Sequence, residues 1–173
     1  MLNVKLQRSI NYLSFTGLDP ANFTFLSRLG PFGSLKTLRC CTWCPGSGQC
    51  VSPLTDSDIE RLASELPQLV TLCLGHECKW IPHNTTIKSM ISLSTHCPSL
   101  EILRLPCNLT GTSEDIKPGS GVSDPRLEIR RPCKLRVLAL QWVTMPSPED
   151  TEALEVVVSV LHHLYPLLPP IGG

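Results

Sequence analysis

TDSDIERLASELPQLVTLCL, residues 55–74, decides how the rest of the chain is read, because its pattern returns 31 residues later as TIKSMISLSTHCPSLEILRL, residues 86–105. Thr55 falls on Thr86, Ile59 on Met90, Leu62 on Leu93, Ala63 on Ser94 and Leu66 on Cys97. Pro67 then falls on Pro98, Leu69 on Leu100, Leu72 on Leu103 and Leu74 on Leu105. The first half of each copy has apolar residues at helical spacing, and the second half reads L-x-x-L-x-L, as a short strand does. The competing reading is two unrelated amphipathic helices in an ordinary α/β domain; against it, the proline and the leucine triplet keep the same register in both copies. The repeat therefore predicts one helix–strand unit used more than once.

Each unit carries its own local signals. The Thr55 hydroxyl is placed to cap the amide of Asp58, and acidic residues at 56, 58 and 60 suit the positive end of a helix dipole. Ile59, Leu62, Ala63 and Leu66 form one apolar stripe, and Pro67 prevents the helix from continuing. Met90, Leu93 and Cys97 repeat that stripe in the second copy.

Working outward, INYLSF (10–15) reads as a first strand with Ile10, Leu13 and Phe15 on one face, and LKTLRC (35–40) as a second. Between them GLDPANFTFLSRLG suggests a short helix with Asp19 as N-cap, Pro20 in the first turn and Gly30 closing it. CTWCPGSGQCVSP is rich in turn formers and reads as loop. The pattern breaks over residues 106–132, where a flexible insertion takes the place of a helix. LRVLAL (135–140) restores the strand, and a last helix starts at Asp150 with Leu154, Val157, Val158 and Leu161 on one face. LYPLLPPI then echoes LPQLVTL, so strands are expected to start near residues 10, 35, 69, 100, 135 and 168. The expected architecture is α/β: a single leucine-rich-repeat solenoid domain over 1–173, with five to six irregular repeats. A curved parallel sheet lines its concave side and helices its convex side.

Composition narrows the function. Lys+Arg and Asp+Glu are both 15, and no block of like charge stands out, which argues against a polyanion-binding surface and hence against nucleic acid. The amino-terminal MLNVKLQRSINYL lacks a continuous apolar run, and LEVVVSVLHHLYPLL is too interrupted to span a bilayer. A cytoplasmic or nuclear protein without membrane contact is expected. The nine cysteines are odd in number and irregular in spacing, unlike a secreted disulfide scaffold, and several stand where a small apolar residue belongs. The sequons at Asn22, Asn84 and Asn108 matter only in a secreted chain.

The segments LTDSDIERLASELPQLVTLCL, THCPSLEILRL and SPEDTEALEVVVSVLHHLYPLL resemble the leucine-rich half of F-box/LRR proteins, especially the divergent fungal set. In that family helices carry L-T-D-x-x-[ILV]-x-x-[LI]-A and strands C-P-x-L-x-x-L-x-L, and the match runs from Ser34 to Leu168. The resemblance implies protein capture by the repeats, as in ubiquitin-ligase substrate recognition. The family's F-box, a helical motif opening with Leu-Pro that binds the ligase adaptor, has no counterpart here, since residues 1–15 already read as repeat.

No nucleotide-binding, hydrolase or metalloprotease motif is present, and no Ser/His/Asp spacing marks a triad, so an enzyme is not expected and no cofactor is implied. Zinc is the competing chemistry. Cys41 and Cys44 form C-x-x-C beside Cys40 and Cys50, and His76, Cys78 and His83 follow the next strand, although a second finger-spaced pair is missing. His162 and His163 are adjacent on a helix and do not face one ligand together. A repeat fragment without independent function is a third reading.

Surface recognition is the leading one. The positions alternating with the leucines project from the sheet: Thr37, Arg39 and Cys41, then Thr71, Cys73 and Gly75, Ile102, Arg104 and Pro106, and Val137, Ala139 and Gln141. Trp43 and Trp142 lie at strand ends, either as interface anchors or as core filling. The expected partner-binding set is Arg39, Thr71, Cys73, Ile102, Arg104, Val137, Gln141 and Trp142.

Overall fold

Thr55 caps its helix as its position suggests. In the computed structural model, which describes residues 10–18, 25–26, 28–42, 54–76, 84–110, 133–144, 149 and 151–167, α1 spans Asp56–Glu65. The Thr55 hydroxyl accepts the Asp58 N–H at 3.3 Å, and the Asp58 carboxylate accepts the Thr55 N–H at 3.1 Å, a reciprocal capping box. The next helix, α2 (Ile87–His96), has Thr86 at the same position, its hydroxyl accepting the Lys88 N–H. The last, α3, spans Thr151–Leu164.

All three helices end alike. The amides of Leu66, Cys97 and Tyr165 donate to the carbonyls four residues back, at 2.9–3.0 Å, and a turn containing Pro67, Pro98 or Pro166 follows. Proline cannot continue the helix, so the chain is released into the next strand. The strand expected near residue 168 lies outside the described residues.

Five strands, β1 (Tyr12–Leu18), β2 (Thr37–Thr42), β3 (Thr71–His76), β4 (Ile102–Asn108) and β5 (Val137–Thr144), form one open sheet in sequence order. Every neighbouring pair is parallel. Leu13, Leu38, Leu72, Leu103 and Leu138 align in one row across it. Leu72 and Leu103 are direct partners and fully buried, as the repeat requires. They share one hydrophobic core with Ile59, Leu62, Met90, Leu93, Val157 and Leu161 of the helices. Full burial of a leucine side chain contributes roughly 1.5 to 3 kcal/mol each.

Backbone hydrogen bonds join the strand starts, supplemented before β1 and β2 by the Ser34 hydroxyl donating to the Ile10 carbonyl. The Asn11 carbonyl accepts the amides of Lys36 and Thr37, that of Lys36 those of Val70 and Thr71, and that of Val70 those of Glu101 and Ile102. Glu101 does the same for Arg136 and Val137. These bonds measure 2.8–3.1 Å.

Side chains tie the helices to one another. The Asp56 carboxylate accepts the Thr86 N–H at 2.7 Å and its O–H at 2.8 Å, together with the N–H and O–H of Ser89. An anion at the start of α1 thus caps α2 as well. At the far end the buried Tyr165 donates its phenol to the Met90 carbonyl at 2.8 Å, linking the end of α3 to the middle of α2.

Two details differ from the sequence-based expectation. Gly30 does not close an α-helix; it opens a 3-10 turn, Gly30–Phe32, with Pro31 inside it. The space beside it is tight: an added Cβ would lie 3.1 Å from a Glu65 carboxylate oxygen, so that side chain would have to give by a few tenths of an ångström. Asp19 and Pro20, assigned to that helix, lie outside the described residues. Further on, β4 runs through Pro106 to Asn108, and Leu109 is still buried, so regular structure continues past residue 106. Residues 111–132 of the expected insertion lie outside the described residues.

Candidate protein-interaction surface

The parallel register sorts the outward side chains into rows. Tyr12, Thr37, Thr71, Ile102 and Val137 form the first; Ser14, Arg39, Cys73, Arg104 and Ala139 form the second. Arg39 and Arg104 therefore flank Cys73 directly, one strand to each side. With neighbouring strands about 4.8 Å apart, their backbones are about 10 Å apart. Both arginines are exposed, and among the described residues neither has an ion pair; Arg61 and Asp58, by contrast, pair with each other on α1.

The remaining expected contacts divide. Val137 is 44% exposed and Ile102 half-buried, so both offer apolar surface beside the arginine row. Thr71 and Cys73 occupy outward positions yet are only 7% and 8% exposed. Pro106, another outward position, is buried: the Thr85 hydroxyl donates to its carbonyl, and the Asn108 amide donates to that of Thr85. The segment leading into α2 thus covers that end of β4. Gln141 and Trp142 belong to β5, but their side chains lie outside the described residues, as does Trp43.

One surface residue escaped the sequence reading. Tyr12, 55% exposed, begins the first row. Placing Leu13 and Phe15 inward already implied that Tyr12 faces out, and Ile10, which has the parity of Tyr12, precedes the strand; extending the alternation through the first strand would have found it.

Among the described cysteines, Cys97, Cys107 and Cys133 belong to the core. Cys97 is fully buried, and its thiol donates to the carbonyls of Ala63 and Leu66. The Cys133 thiol donates likewise to Cys97 and Leu100. Burial pushes the Cys97 and Cys107 thiols up to about 12, with a neighbouring Cys133 and Asp56 respectively adding to the effect. Such thiols stay protonated and unreactive.

Of the suggested zinc set, Cys40 is fully buried within the core, partnered across the sheet by Phe15 and Leu74. A tetrahedral site would have to be built without it. Cys44, Cys50, Cys78 and His83, and the side chains of Cys41 and His76, lie outside the described residues. Among the described residues no three His, Cys, Asp or Glu side chains are placed to share a metal. Among them, too, no helix is long and apolar enough to cross a membrane. No family model matches the chain, and a search of curated proteins gives no significant match.

Proposed function

We propose that the chain is a leucine-rich-repeat solenoid that binds another protein through the outward face of its sheet. The observation that carries this reading is the Arg39–Cys73–Arg104 row: two exposed arginines without ion pairs, held in register by rigid strands rather than by loops. Ile102, Val137 and Tyr12 add exposed apolar and aromatic area to the adjacent row, and interfaces favour Arg and Tyr as anchors. The sequential all-parallel order, the leucine row buried at Leu38, Leu72 and Leu103, and the three matching helix ends support the solenoid. The resemblance to F-box/LRR proteins extends the proposal to substrate capture for a ubiquitin ligase, acting in the cytoplasm or nucleus.

Affinity capture with mass spectrometry tests it, with three baits: the parent chain, a face variant (Tyr12→Ser with Val137→Asp) and a helix-side control (Glu60→Lys). A partner retained by the parent and the control but lost with the face variant is the expected result. Identical captured sets for all three baits would refute recognition by this face.

A further inference from the structure

The chain is electrically balanced, with 15 basic and 15 acidic residues, but its outward sheet face is not. The two outward rows hold Arg39 and Arg104 and no carboxylate. The nearest acidic residue along β4, Glu101, precedes the strand, outside both rows. Resting on the reading of this face as a recognition surface, we infer that its partner presents an acidic peptide segment, with one carboxylate to Arg39 and another to Arg104.

The geometry sets the form of that segment. The strand between the two arginines contributes Thr71 and Cys73, short side chains that are almost closed to solvent. The arginines rise on either side of it, about 10 Å apart at the backbone. Carboxylates about two to four residues apart in an extended chain span a similar length. Each guanidinium then meets a carboxylate in a forked, two-bond geometry, while the intervening segment crosses Cys73. Beside the row, Ile102 and Val137 offer a place for an aliphatic side chain of the same segment. Two like charges left on either side of Cys73 are relieved by an anion between them. Nucleic acid fits less well, because affinity for a polyphosphate grows with the number of phosphates neutralised, and only two cations stand in these rows.

The test uses short labelled peptides in three matched sets, with paired Glu, paired Gln or paired Lys around the same aliphatic residue. Fluorescence anisotropy is read against the whole chain. The Glu set is expected to bind, with affinity falling as salt is raised. Arg39→Ala or Arg104→Ala should weaken it about two- to fivefold, and the double change to Glu by about tenfold or more. The double-Glu variant should gain affinity for the Lys set. Circular dichroism confirms that the variants keep the fold. Equal binding of the Glu and Gln sets, or binding of no set, overturns the acidic-segment assignment. Protein capture that depends on Tyr12 and Val137 but ignores the double Arg change would overturn it too, while leaving recognition by the face intact.

Discussion

Replacing Asp56 by Ala asks whether the repeats are held together by polar contacts as well as by leucines. The Asp56 carboxylate takes four hydrogen bonds from Thr86 and Ser89, two from backbone amides and two from hydroxyls. Ser89 is fully buried, so its donors have no water to turn to once the carboxylate is gone. A hydrogen bond to a charged group contributes about 1.5 to 3 kcal/mol, but four on one carboxylate are far from additive. Loss of an ordinary helix cap costs about 0.5 to 2 kcal/mol. Asp56→Ala should therefore cost roughly 2 to 4 kcal/mol, and Asp56→Asn, which keeps one carbonyl acceptor, roughly half of that. For a chain of this size each kcal/mol lowers Tm by about 2 to 4 °C. Urea titration followed by circular dichroism, with a thermal scan, measures both. A loss below about 0.5 kcal/mol for Asp56→Ala, or an Asn variant as stable as the parent, would refute the clamp.

Leu72→Ala and Leu103→Ala should each cost about 2 to 5 kcal/mol by urea denaturation, and because the two are direct partners the double variant should not be additive. Tyr165→Phe keeps the ring but removes the bond to Met90, so it should lose about 0.5 to 1.5 kcal/mol, whereas Tyr165→Ala also opens a cavity and should lose about 3 to 5. The thiol of Cys97 ionises near 12 in the fold against 9.0 for an ordinary thiol, so the protonated form is the one the fold favours. Its contribution is fully present below pH 9.0 and is lost as pH rises towards 12, so denaturation midpoints should fall across that window and Cys97→Ala should flatten the fall. At neutral pH, mass spectrometry after thiol labelling should find Cys97, Cys107 and Cys133 unmodified until urea unfolds the chain.

The central repeats were legible because every local signal agreed. Thr55, the Ile59–Leu66 stripe, Pro67 and the leucine triplet each pointed to the same helix–strand unit, and the register Leu72 to Leu103 followed from matching two copies. The segment before β2 was misread because glycine has two uses. Gly30 looked like a helix terminator, whereas its neighbour in space is Glu65, which sequence distance conceals. Thr71 and Cys73 had the parity of exposed residues; their near-closure depends on surrounding side chains, which parity does not encode. The Asp56 clamp also escaped notice. Asp56 was read as an acid favouring its own helix dipole, yet its hydrogen bonds go to the next helix, 30 and 33 residues away.

The backbone junctions between strand starts have a consequence for how such a protein can diversify. Each junction uses one carbonyl and two amides, so it places no demand on side-chain identity beyond excluding proline from the donor positions. The strands therefore keep their alignment while the outward residues change freely, and a stretch inserted between two units leaves the alignment on either side of it undisturbed. Lys36, Val70, Glu101 and Arg136, two cations, an aliphatic residue and an acid, already share this one place. Substitution at outward positions such as Ser14, Arg39, Arg104 and Ala139 can thus change the chemistry of the sheet face, with the foldedness of the chain carried elsewhere.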